Sequence, residues 1–77
     1  MNWYSLFNEN GKIISKGHRM VYRHIFQHAR KKGADGILIV KLGWSGDMVV
    51  NRRGYIKTEC KGNRSYWYKE LSKSSKF

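Results

Sequence analysis

Seventy-seven residues leave room for one small domain, near the size at which a single hydrophobic core supplies only about 3–5 kcal/mol of net stability. Hydrophobic residues at 40%, with three Trp, five Tyr and three Phe, exclude a disordered basic tail, while 16 Lys+Arg against five Asp+Glu leave a net charge of +11 that asks for an acidic partner. The longest apolar run, Ile37-Leu38-Ile39-Val40, is far too short to cross a bilayer; no signal-peptide core opens the chain, and the lone Cys60 cannot close an intrachain disulfide, so a reducing, cytoplasmic location is expected.

Taken in chain order, the first elements are two β-prone runs, at residues 2–8 and 12–17, around Asn10-Gly11. That pair tolerates the positive φ angles of a type I′ turn, which would set Glu9 against Lys12 and Phe7 against Ile14. A helix is predicted over 18–32. Val21, Tyr22, Ile25 and Ala29 recur at its period, Lys31 and Lys32 suit the negative end of its dipole, and Gly33 follows as a C-cap would. Ser15 is the nearest N-capping side chain, three residues early.

Residues 37–42 form an apolar run interrupted only by Lys41, which predicts a central strand. Ser45-Gly46-Asp47 then turns the chain into Met48-Val49-Val50, and Asn51-Arg52-Arg53-Gly54 reads as another tight turn before a strand at 55–60. Lys61-Gly62-Asn63-Arg64 closes a last hairpin onto 65–69. The expected fold is α+β: a single small domain over residues 1–71, ββαβββ in order, with a curved antiparallel sheet and one helix packed on it. Residues 72–77 have the composition of a flexible basic tail.

Two patterns point to a nucleic-acid-binding surface. At 100° per residue Arg19, Arg23, Gln27 and Arg30 share one helical stripe opposite Val21, Ile25 and Ala29, where arginine forks suit phosphates and base edges; the bland alternative is a solvated helix face. In the last hairpin, a two-residue Gly62-Asn63 loop sets Lys61 against Arg64, Glu59 against Tyr66 and Lys57 against Tyr68. One face then interleaves Tyr55, Tyr66 and Tyr68 with Lys57, Lys61 and Arg64, as a base-stacking platform would, and the opposite face, Ile56, Thr58, Cys60 and Trp67, packs under the helix. Tyrosines also cover sheets for ordinary packing reasons. Arg52 and Arg53 add charge at a turn tip.

No catalytic constellation, metal site or cofactor is expected. The five acidic residues are isolated, Cys60 falls on the face predicted to be buried, and His24 and His28, four residues apart, lack further ligands to join them; His18 is expected to pack near the helix start. The order of elements resembles double-stranded RNA-binding domains in architecture alone, without RNP boxes or a GXXG loop. A compact, proline-free basic chain is also similar to small regulators of phages and mobile elements that bind host enzymes. The leading expectation is therefore a non-enzymatic DNA- or RNA-binding protein. The alternative is a phage-type modulator or inhibitor that docks on an acidic surface of a host protein, with Trp44 and Tyr66 as aromatic anchors. No membrane partner is expected, and the pattern sets no oligomeric state.

Overall fold

Two hairpins flank a central strand in the computed structural model, which describes residues 2–42 and 47–71. In chain order the elements are β1 (Asn2–Phe7), β2 (Ile13–Arg19), α1 (Tyr22–Lys32), β3 (Gly36–Leu42), α2 (Asp47–Arg52), β4 (Ile56–Lys61) and β5 (Arg64–Glu70). The strands make one antiparallel sheet in the order β2-β1-β3-β5-β4, so the fold is α+β. Trp44, the Ser45-Gly46 part of the expected turn and the basic tail at 72–77 lie outside the described residues.

Residues 48–50, where a link between two turns and no second helix was expected, are instead part of α2. Three consecutive apolar residues fit a buried strand or a helical turn equally well, and the glycine that follows decides between them. Gly54 sits at φ 92°; its N–H donates to the Asn51 carbonyl at 2.9 Å and that of Tyr55 to the Val50 carbonyl at 3.2 Å. This pair of bonds is a Schellman cap, with the apolar contact between Val50 and Tyr55 that usually accompanies it. α1 ends the same way: Gly33 at φ 69° donates to Arg30 and Ala34 to Ala29.

α1 begins four residues later than predicted. β2 continues through His18 and Arg19, held against Trp3 and Asn2 of β1, and Val21 is the N-cap residue with no side-chain cap. Ladder bonds thus override the helical periodicity of residues 18–21. The first turn also differs. The Gly11 N–H donates to the Asn8 carbonyl and the Asn8 N–H to the Lys12 carbonyl, while Asn8 Oδ1 accepts from the N–H groups of Asn10 and Lys12. Gly11 at φ 80° closes a three-residue loop, and Phe7 pairs with Ile13 rather than Ile14.

Strand alternation assigns the two sheet faces. Tyr4 and Leu6 of β1, Ile37 and Ile39 of β3 and Trp67 of β5 form one buried cluster with Ile25 and Ala29 of α1, Val50 of α2, Ala34 and Tyr55. Both helices therefore cover the same face. At its edge, Tyr4 and Ser15 hold His28 between them: the Tyr4 hydroxyl lies 2.6 Å from Nδ1 and Ser15 Oγ 3.4 Å from Nε2. A neutral ring protonated on Nε2 satisfies both contacts, accepting from Tyr4 and donating toward Ser15.

Burial, with the nearby charges of Arg19, Lys32 and Lys31, pushes the His28 pKa below the ordinary 6.5. The unfolded chain then binds this proton first as pH falls, so stability present above about pH 6.5 is lost on acidification. Thermal denaturation should show Tm falling from neutral pH to about pH 5, with a shallower fall in His28→Gln. An equally steep fall in the variant would assign the acid sensitivity to other groups.

Candidate functional site

Tyr22 and Phe26, one turn apart on α1, face Tyr55 and Lys69 across a shallow cleft whose remaining walls are Arg23, Arg52 and Arg53. The cleft has a volume of ≈ 460 Å³. Each wall has a sequence cause. The i, i+4 spacing puts Tyr22 and Phe26 on one helix flank, the Schellman cap of α2 delivers Arg52 and Arg53 just before Tyr55 enters the core, and alternation in β5 puts Lys69 on the same face as Trp67.

Cations lie over all three rings. The Arg53 guanidinium stands 5.1 Å from the Tyr22 centroid, and Lys41 Nζ stands 5.6 Å from it. Lys69 Nζ is shared between Phe26, at 5.7 Å, and Tyr55, at 5.6 Å. Arg30, one turn along α1, reaches the Phe26 ring at 5.8 Å and so extends the basic surface up the helix. Such contacts hold the charged heads over the rings while leaving their N–H donors to face outward. Lys41 is spent differently, donating to the Tyr22 hydroxyl at 3.0 Å and to Asn2 Oδ1 at 3.1 Å.

Among the described residues no carboxylate lines the cleft. Its lining holds cations, two phenols and a phenyl ring, none of which ordinarily titrates near neutral pH. Burial raises the Tyr55 pKa to about 12, with a smaller push from Tyr22 and a counter-effect from Arg53, so this phenol stays neutral and a potential donor. Phe26 remains 37% exposed and offers ring surface to a ligand.

The residues singled out from sequence divide into groups. Arg23, Arg52, Arg53 and Tyr55 meet in the cleft, with Arg30 and the exposed Gln27 continuing along α1. Arg19 does not join them: it ends β2, its Nη1 donating to the His18 carbonyl at 2.8 Å. Tyr55 is a core residue, not part of an open tyrosine face. Lys57 also changes sides. The ladder between β4 and β5 slips between Lys57 and Glu59, so Lys57 opposes Trp67, with its Nζ 5.3 Å from that ring, and Ile56 opposes Tyr68. One extra residue, Thr58, reverses the facing of everything before it, so Ile56 is exposed. Thr58 and Cys60 are exposed as well, against the expectation of a buried face. Lys61, Arg64, Tyr66 and Tyr68 keep their common face, which lies on the side of the sheet away from α1.

Lys69, Phe26 and Tyr22 were not singled out as site residues. The signal for them was present: Tyr22, Phe26 and Arg30 repeat at i, i+4 and i+8, and Lys69 alternates with Ser65 and Trp67. Among the described residues no group of three His, Cys, Asp or Glu side chains is placed to hold a metal ion, and no helix is long and apolar enough to cross a membrane. No protein-family model matches the chain, and neither the search of curated proteins nor that of solved structures found a match.

Because two of the four cations lining the cleft are delivered by the α2 cap, Gly54 is its hinge point. A side chain at φ 92° is strained, so Gly54→Ala should lower stability by about 1–2 kcal/mol, read by denaturant or thermal unfolding. Asn63→Ala, in the exposed Gly62-Asn63 turn, serves as the neutral comparison; equal effects would show that the cap contributes nothing.

Proposed function

We propose that this protein is a non-enzymatic nucleic-acid-binding protein and that the cleft beside α1 is its main contact surface. The observation that carries the reading is the concentration of Arg23, Arg52, Arg53 and Lys69 around three aromatic rings with no acid in the lining. Phosphates supply the negative charge that these four cations lack, and Arg30, with Gln27, offers a continuation along the strand. The exposed Phe26 ring gives an unpaired base a stacking surface, an interaction worth ~1–3 kcal/mol. Proton transfer chemistry has little support, because the lining offers no histidine, carboxylate or thiol.

Electrostatic contact of this kind is measured by its salt dependence. Engaging five phosphates through Arg23, Arg30, Arg52, Arg53 and Lys69 gives a log–log slope of roughly −3.5 to −4.5. Between 50 and 200 mM salt, affinity for a fluorescent oligonucleotide should fall roughly 100- to 500-fold in an anisotropy titration. Arg23→Glu combined with Arg53→Glu should weaken binding more than tenfold with an unchanged circular dichroism spectrum. Binding that ignores salt rejects the mechanism, and unchanged affinity in the double variant removes the cleft. A stoichiometric protein partner recovered after nuclease treatment, together with no oligonucleotide binding, would establish the modulator reading instead.

A further inference from the structure

The cleft beside α1 is small for the charge it holds. Its ≈ 460 Å³ lies toward the lower end of the range for ligand sites and has room for about one nucleotide. Yet Arg23, Arg52, Arg53 and Lys69 all line it, and no carboxylate does so among the described residues. A phosphodiester inside a strand brings a single negative charge. A phosphate monoester at a strand end brings about −1.5 to −2 at neutral pH and a third strong acceptor oxygen, which suits three guanidinium forks and an ammonium better.

We propose that the cleft takes the phosphorylated end of a single strand, an inference that rests on the nucleic-acid reading of the same site. The terminal phosphate monoester sits among Arg23, Arg52, Arg53 and Lys69, and the terminal base lies on Phe26. The ring favours an end for its own reason. An interior base must leave two stacked neighbours before it can lie on a side chain, whereas a terminal base leaves only one. Phe26, 37% exposed, is the most open ring of the lining, since Tyr22 is half-buried and Tyr55 buried.

The surroundings of the cleft are one-sided along α1. Beyond Phe26 the exposed Arg30, Lys31 and Lys32 continue the basic surface toward the C-terminal end of the helix. At the Tyr22 end the cation is Lys41, which is half-buried and donates to the Tyr22 hydroxyl at 3.0 Å and to Asn2 Oδ1 at 3.1 Å. Two of the three donors of its ammonium are thus taken. A strand that ends in the cleft leaves past Gln27 and Arg30, whose exposed side chains flank its next phosphates. A strand continuing past Tyr22 would meet a cation already committed within the protein.

Anisotropy titrations of the full chain, at one moderate salt concentration, compare an internally labelled single-stranded oligonucleotide carrying a 5′-phosphate, a 3′-phosphate or hydroxyls at both ends. A phosphate on at least one end should tighten binding about tenfold over the hydroxyl form, and the end that does so fixes the polarity of the bound strand. Arg52→Gln with Arg53→Gln should bring that ratio close to one. Arg30→Gln, outside the cleft lining, should weaken all three forms alike and leave the ratio unchanged, with unaltered circular dichroism spectra in both variants. Equal affinity for the three forms overturns the proposal while leaving the cleft as a contact for continuous strands. A circular single strand bound as tightly as the phosphorylated linear one overturns it too, as does a ratio that survives in the Arg52→Gln, Arg53→Gln variant. Absence of binding to any of the three removes the nucleic-acid reading itself, and this inference with it.

Discussion

The constraint on which the helix side depends is the place of β3. Lying between β1 and β5, it brings the N-terminal and C-terminal hairpins under one helix although they are separated by most of the chain. Ile37 and Ile39 join Leu6 on one side and Trp67 on the other, and Ile25 and Ala29 close over them. With so few side chains in the core, each position carries a large share of the stability. The same arrangement brings Lys69, near the end of the described chain, to Phe26 on α1.

Cations follow a similar economy of placement. An excess of like charge destabilises a compact chain, and here several of the cations are fixed over aromatic rings: Arg53 and Lys41 at Tyr22, Lys69 and Arg30 at Phe26, and Lys57 at Trp67. The ring quadrupole offsets part of the repulsion and limits side-chain motion. A set of charges restrained in this way loses less entropy when an anion arrives than the same set on mobile stems.

Much of this architecture was legible in the residues. Gly33 announced the end of α1, Asn10-Gly11 the first hairpin, and the apolar 37–42 run the central strand, because each rests on local chemistry. Two features were not, for physical reasons. Met48-Val49-Val50 has strand composition, and its helical form depends on Gly54 taking positive φ and on Tyr55 finding a buried seat against Val50, a tertiary fact. The slip at Thr58 moved Tyr55 and Lys57 off the face they were expected to share with Tyr66 and Tyr68, because one inserted residue inverts a strand pattern whose period is two. The arginines of the cleft were recognisable as a charge pattern; their meeting point was not, since it is set by where α2 ends.

That slip has a counterpart. The ladder between β1 and β2 is irregular between Leu6 and Phe7, as that between β4 and β5 is between Lys57 and Glu59, whereas the two inner ladders run without a break. Irregularity thus falls on the two ladders that contain the sheet's outermost strands. A flat, regular border offers a template for strand after strand, which is how fibrils grow. Local twist and unpaired ladder positions, with Lys57 and Lys61 on β4 and Lys16 on β2, spoil that template on both borders. A small, strongly basic chain is thereby protected from open-ended polymerisation at its sides.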